Sequence, residues 1–387
     1  MALVYGSGPN TGIEISEEST WGVASTGTYY TLAIVTDSFH VERDSFTDVE
    51  EFGSYGGRES IETGRAFSTG EFTVIPRYDS VAWNILLAHA MGAEDVVTTT
   101  HIDRSGTSET NGASHIYTFS SLPIGLTIRH YKSGDAPAGL REVYAGCIIT
   151  GFTIEQPEGD VMKMTFRFLA AKAAPDQSGT LVTTGGGSRA FTARDLVYDS
   201  STRKLVEIKT GSQTYDYPTA SVGDVLPIRS FTVDVDKKVE LGSNFITDPD
   251  TVDKPGITGT REVTLSLESY LERIATASTG YPYYEFLNNT NSAINIVFND
   301  NLLVPSGTYP RGFRIDLPAL TWETGEAPIS DAGQINLSLT GRAYMTTYRE
   351  GHATIPAAAT PTELRLMTFV DGDDGGAGAG NSAYSSL

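Results

Sequence analysis

Cysteine is nearly absent. Cys147 is the single one among 387 residues, so neither an internal disulfide framework nor a multi-cysteine metal site can form. Basic residues are also scarce, 27 Lys plus Arg against 48 Asp plus Glu, for a formal charge of −21. A grip on nucleic acid needs a basic face that displaces counterions, and this balance argues against one. It does not exclude contact with DNA that slides past without sticking. Long apolar runs are missing too. The longest, Val81 to Met91, is interrupted by Asn84 and His89 and falls well short of the roughly 20 residues of a membrane span. The opening residues show no charged segment followed by an apolar run, so no secretory signal is read. The sequons at Asn288 and Asn336 then read as chance matches, and the expectation is a soluble protein made in a cytoplasm.

What is present is a regular alternation. Apolar residues make up 39 % of the chain, enough to build cores and to exclude wholesale disorder. Phe39 and Val41, Phe72 and Val74, Phe152 and Ile154, and Met162, Met164, Phe166 and Phe168 each occupy every second position. The same holds for Phe231, Val233 and Val235, for Val263, Leu265 and Leu267, for Phe313, Ile315 and Leu317, and for Ile335, Leu337 and Leu339. Successive strand residues point to opposite faces, so each run has a core face and a polar face. Alternation of this kind marks antiparallel sheets covered on one side, with Gly, Pro, Asn and Asp clusters as turns. The fold class expected is all-β, mainly antiparallel.

Two segments read as short helices. Ser80 is suited to an N-cap and Gly92 to a C-cap, with Trp83, Leu86, Leu87 and Ala90 at helical spacing between them. Ser269 to Ser278 is a shorter candidate. Each follows an alternating strand, and this order is one sign of a duplication. Phe39 and a long polar stretch precede Phe72 and the first helix; Phe231 and a similar stretch precede Val263 and the second. Downstream, the strand, acidic loop and strand that begin at Gly146 are echoed from Gly312. The expected organisation is a first β domain over 1–175, a linker and hairpin over 176–229, a second β domain over 230–350, and a C-terminal extension over 351–387 that is mobile from 371.

Motifs for chemistry fail one by one. Gly185 to Gly187 is followed by no helical periodicity and no phosphate-binding lysine. The six histidines show no metal-ligand spacing, with His101 and His115 reading as loop residues and His89 as the edge of a helix. Asp371, Asp373 and Asp374 lack the glycine and the distant glutamate of a calcium loop, and the cluster from Asp248 to Asp253 reads as an acidic turn. No G-x-S-x-G occurs, and Cys147 stands in an apolar run. No catalytic residue, metal or cofactor is expected.

Several segments together carry a resemblance: Glu17 to Ala24, Arg58 to Arg65, Gly70 to Gly92, and Tyr144 to Ala173. In this order they resemble phage tail tube proteins of long, flexible, non-contractile tails. The likeness covers most of 12–174 and runs more loosely to about 346. It implies two tandem β-sandwich or barrel domains, each flanked by a short helix, whose sheets join around a ring. The rings stack into the hollow tube through which the genome leaves the capsid. A duplicated subunit would complete a pseudo-sixfold ring as a homotrimer. The implied partners are further copies of the chain, the tape measure protein, the tail terminator and the distal tail protein, with genomic DNA passing through the lumen. No membrane insertion is implied. The implied location is the virion tail, after assembly in the host cytoplasm.

Within that resemblance, the polar faces of the strands supply lumen candidates: Glu42, Glu71, Glu155, Asp234, Asp236, Glu262, Glu268 and Asp316. Carboxylates there would repel phosphates and leave DNA a slippery wall. Lys163, Arg167 and Arg314 depart from this pattern and are suited to cross-strand pairing with acids. The polar stretches 43–69 and 236–260 are longer than ordinary hairpin loops. They supply ring-stacking candidates in Phe46, Phe52, Tyr55, Phe245, Ile246 and Val252. The rival readings are a carbohydrate-binding or adhesin-like sandwich, with Trp21, Trp83 and Trp322 as stacking platforms, and a hydrolase with paired carboxylates.

Overall fold

The computed structural model describes residues 12–47, 61–77, 80–97, 101–102, 108–109, 112–132, 141–176, 206–210, 228–241, 254–271, 282–289, 291–303, 310–328, 335–347 and 361–371. The first half runs β1 (Gly12–Glu17), β2 (Tyr30–Leu32), β3 (Ile34–Thr47), β4 (Ile61–Val74), α1 (Val81–Met91) and β5 (Gly92–Val97). It continues with β6 (His101–Ile102), β7 (Ser108–Glu109), β8 (Gly112–Phe119), β9 (Leu126–Tyr131), β10 (Arg141–Gln156), β11 (Lys163–Ala170) and β12 (Lys172–Asp176). The second half begins with β13 (Val206–Thr210), β14 (Ile228–Asp236), β15 (Val239–Glu240), β16 (Gly256–Ile257), β17 (Glu262–Tyr270) and α2 (Pro282–Asn288). It ends with β18 (Ser292–Leu303), β19 (Pro310–Glu326), β20 (Asn336–Ala343), β21 (Thr346–Thr347), β22 (Pro361–Thr362) and β23 (Arg365–Asp371). Every strand pairing is antiparallel, as the alternation predicts.

One long sheet spans both halves. Its order is β3, β4, β11, the last part of β10, β14, β17, β20 and the last part of β19. The join between the halves is β10 with β14, where Phe152 stands opposite Val235 and Ile154 opposite Val233. Two smaller sheets cover its apolar face. In the first half β2, β1, β9, the first part of β10 and β12 pair in that order. In the second, β13, β18, the first part of β19, β23, β8 and β5 do so. Among the described residues no pairing closes any of these sheets into a barrel, and the arrangement is a sandwich.

The halves share a pairing scheme, with three irregularities at matching places. Strands β10 and β19 each serve two sheets and bend between them at a bulge. Tyr144 and Cys147 stand opposite Ile128 and Leu126, just as Leu317 and Leu320 stand opposite Ile294 and Ser292. A second bulge follows in both, between Ile149 and Gly151 and between Trp322 and Thr324. A third interrupts β3 between Ile34 and Thr36 and β14 between Ile228 and Ser230. A bulge bends a strand and strengthens its twist, which is how one strand can turn from one layer into the next. Gly146 sits in the first of these bends at φ 70°, a conformation that L side chains rarely adopt.

The core is one apolar cluster drawn from all three sheets and α1. Aromatic contacts cross the layers: the Tyr144 ring lies 5.1 Å from Phe39 and 6.1 Å from Phe168. Ser80 Oγ accepts the Trp83 backbone N–H, and Gly92 ends α1 at φ 94°, the caps that the sequence suggests. The helix is buried well beyond one stripe, however, with only Val81 and Asn84 partly exposed. Trp83 explains this, because its indole N–H donates to Met164 Sδ at 3.2 Å in the first half while its ring packs 4.9 Å from Phe313 in the second.

Other expectations are corrected. Ser269 and Tyr270 complete strand β17, and the second helix starts at Pro282; 272–278 lie outside the described residues. Strand β23, in the expected C-terminal extension, pairs with β19 on one side and β8 on the other. Strand β13, in the expected linker, pairs with β18. Residues 372–387 of the expected mobile end lie outside the described residues. Likewise, β3 reaches Thr47 and β4 starts at Ile61, so the polar stretch opens as a two-stranded ribbon. Strands β15 and β16 form a shorter one at the matching place in the second half.

Candidate functional site

The long sheet turns one face to the core and leaves the other polar. Directly opposed residues share a face, so the register groups Glu71, Arg167 and Asp236 with Ser38 and Glu262. Thr73, Thr165, Thr153, Asp234 and Thr264 form the neighbouring row. Of the eight acids expected on such a face, Glu42, Glu71, Glu155, Asp234, Asp236, Glu262 and Glu268 lie there, all partly or fully exposed. The sheet therefore brings together acids that are far apart in the chain.

Asp316 is the exception. It is 0 % exposed and accepts from Arg314 Nε at 2.6 Å and from Arg365 Nη2 at 2.8 Å. Alternation fails here because this part of β19 belongs to the covering sheet and is buried on both faces from Phe313 to Leu320. The partner Arg365 lies beyond the expected domain boundary, so the sequence gives no hint of the pair.

The cations on the polar face are tied to acids. Arg167 Nη2 donates to Asp234 Oδ1 at 3.1 Å and to the Val235 carbonyl at 2.8 Å, and Thr153 Oγ1 donates to the same Asp234 oxygen. These bonds cross the β10–β14 join. Lys163 pairs with Asp160 in the adjoining turn at 3.0 Å. Lys238 Nζ lies 2.7 Å from Asp236 and 3.5 Å from Glu262. Burial raises the Asp236 pKa, but the Lys238 hydrogen bonds outweigh it and hold the carboxyl below its usual range.

Beneath the same join lies Lys237, 3 % exposed, its backbone N–H donating to the Thr150 carbonyl. Its Nζ finds no hydrogen-bond partner among the described residues. Burial, with the nearby Arg261 charge, pushes its pKa down to about 7. No feature of the sequence distinguishes this lysine from its exposed neighbour Lys238.

The two ends of the long sheet are open. Strand β3 pairs only with β4 on one side, and the last part of β19 only with β20, among the described residues. Val41 on β3 is 51 % exposed, whereas Val235, which holds the same place in the covered strand β14, is 0 % exposed. Helix α2 packs on β19 yet leaves Tyr284 and Leu287 exposed, the latter at 59 %.

The stacking candidates are less visible. Phe46 lies in β3, while Phe52, Tyr55, Phe245, Ile246 and Val252 lie outside the described residues. The other readings lose ground. Trp83 and Trp322 are 2 % and 5 % exposed, so neither offers a platform to a sugar; Trp21 is half-buried. Cys147 is buried, with its thiol pKa pushed up by burial. His115 is not a loop residue but a buried member of β8, with Nδ1 2.6 Å from Glu94. Among the described residues no cluster of His, Cys, Asp or Glu could hold a metal, and no helix is long and apolar enough to cross a membrane. No curated protein matches the chain. A family model does, the one described as phage tail tube protein, over residues 8–343.

Proposed function

The chain belongs to the phage tail tube protein family, a structural component of the virion tail, and from that premise we propose that each copy fills two positions of a ring. Three copies close a pseudo-sixfold ring, and the rings stack into the hollow tube of a long, non-contractile tail. The observation that carries this reading is the β10–β14 join, where two halves with one pairing scheme already stand edge to edge. Neighbouring ring positions must meet in some such way if their sheets are to run on without a break.

The polar face of the long sheet then lines the channel. Its acids repel phosphates, and their pairing with Arg167 and Lys238 leaves few cations free to hold DNA. The genome meets a wall of hydroxyls and carboxylates and slides. The ribbons that lead into 48–60 and 242–253 point to the next ring. On this reading Phe52, Tyr55, Phe245, Ile246 and Val252 become buried on stacking, and Phe46 stiffens the base of the first ribbon. The tape measure protein occupies the lumen during assembly in the host cytoplasm, and the terminator and distal tail proteins close the ends.

Negative-stain electron microscopy of the purified protein over a concentration series, with mass measured in parallel, tests the proposal. Rings or tubes with a three-subunit repeat are the expected result. A six-subunit repeat keeps the tube and overturns the double occupancy, whereas a compact monomer at every concentration, even with tail-tip components added, overturns the tube.

A further inference from the structure

The internal join also specifies how one copy meets the next. We infer that the open edge of β19 pairs with the open edge of β3 in a second copy of this chain, in the register with Thr324 opposite Glu42. This rests on the ring reading and adds the residues that close the ring.

The argument is one of correspondence. The shared bulges match Gly151 on β10 to Thr324 on β19, since each follows the same irregularity opposite β11 or β20. The pairings along β4 and β17 match Phe39 on β3 to Val233 on β14. Inside the chain Gly151 faces Asp236, Phe152 faces Val235 and Thr153 faces Asp234. Carried over, Thr324 faces Glu42, Gly325 faces Val41, and Glu326 faces His40 of the next copy. Faces agree throughout: Thr324, Glu326, His40 and Glu42 lie on the polar side, Gly325 and Val41 on the core side.

Two observations show that these edges are built to be covered. Val41 and Val235 occupy one place in the scheme, yet the first is 51 % exposed and the second 0 %. An exposed strand edge bearing an apolar side chain is a template for another strand. Helix α1, which lies between the halves, is buried at every position but Val81 and Asn84 and touches the far half through Trp83 and Phe313. Helix α2 holds the matching position beside the open edge and exposes Leu287 and Tyr284. A second copy seated on β19 covers both surfaces, as the second half covers the first.

Disulfide trapping tests the register, because a bridge requires β-carbons within about 4.5 Å. In the double variant Glu326→Cys with His40→Cys, mild oxidation of assembled tubes is expected to give covalently closed trimers on a non-reducing gel. A displaced pair, Glu326→Cys with Glu42→Cys, is expected to give none. The native Cys147 is buried and does not compete. Val41→Asp provides a test without cross-linking: the protomer keeps its far-ultraviolet spectrum, and the concentration needed for assembly rises at least tenfold. Tubes that form at the wild-type concentration with Val41→Asp, or trimers trapped only by the displaced pair, overturn the register while leaving the tube reading intact. A wild-type protein that never forms rings removes both.

Discussion

Replacing Asp316 by alanine separates a buried structural carboxylate from a solvent-facing one. Its side chain is 0 % exposed and lies between Arg314 and Arg365, whose side chains are 2 % and 7 % exposed. Removing the carboxylate leaves two guanidinium groups buried without the counterion they share. Breaking a buried ion pair by removing one partner costs about 3–5 kcal/mol, so Asp316→Ala is expected to lose about that much stability. Asp316→Asn keeps the shape and one acceptor oxygen but gives up the charge, and should lose about 1.5–3 kcal/mol, the worth of hydrogen bonds to a charged group. Glu268→Ala, on the exposed face, should stay within about 0.5 kcal/mol. Urea denaturation of the unassembled protein, followed by tryptophan fluorescence, measures all three. The triple replacement Arg314→Met, Asp316→Leu, Arg365→Met should recover much of the loss, since it removes the cost of burying charge together with the attraction. A loss below about 1 kcal/mol for Asp316→Ala refutes the reasoning and returns this residue to the solvent-facing set.

Two further expectations concern the join. Gly151→Ala places a methyl group against the Val235 carbonyl oxygen and 2.7 Å from Arg167 Nη2. Forcing extra volume into a packed site typically costs about 1–3 kcal/mol, and hydrogen exchange should show amides of β10 and β14 losing protection before those of β9. Lys237, pushed down to about 7 by burial, makes stability depend on pH. Between that value and the ordinary lysine range the unfolded chain binds a proton that the folded chain does not, so stability rises with pH across that window and falls as pH drops through it. Lys237→Met should abolish this slope and raise the urea midpoint at neutral pH; an unchanged slope refutes the assignment.

The pattern of faces was legible in the sequence because period-two alternation survives any shift by two residues. For the same reason the register of the duplication was not. Sequence order sets Phe39 against Phe231 and Phe72 against Val263, whereas the pairings set Phe39 against Val233 and Phe72 against Leu267. The bulges that fix the true correspondence leave no mark in a string of alternating residues. Helix α1 was legible at both ends because its caps are local chemistry, but the packing of Trp83 against Phe313, far along the chain, was not. Strand β23 escaped because it follows the alanine- and proline-rich run at 356–361 and pairs with strands from both halves. Seven of the eight expected acids share a face because alternation determines it locally. Asp316 does not, since it stands in the covering sheet, on a stretch of β19 buried at every position from Phe313 to Leu320.

Among the described residues, strands β5 and β8 have no counterpart in the second half. The first half inserts them after α1, while in the second half α2 ends at Asn288 and β18 begins at Ser292, too close for an equivalent. They extend the covering sheet of the second half beyond β23, and the corresponding edge of the first half ends at β12, which carries Pro175. Proline withholds a backbone donor and discourages further pairing. In a ring of three chains the channel would repeat six times around its axis while the outside repeats three times. A collar or cap that grips the outer wall could then dock in three equivalent orientations, whereas one that plugs the bore would have six nearly equal choices. In such a ring the two surfaces of one tube would carry different rotational codes.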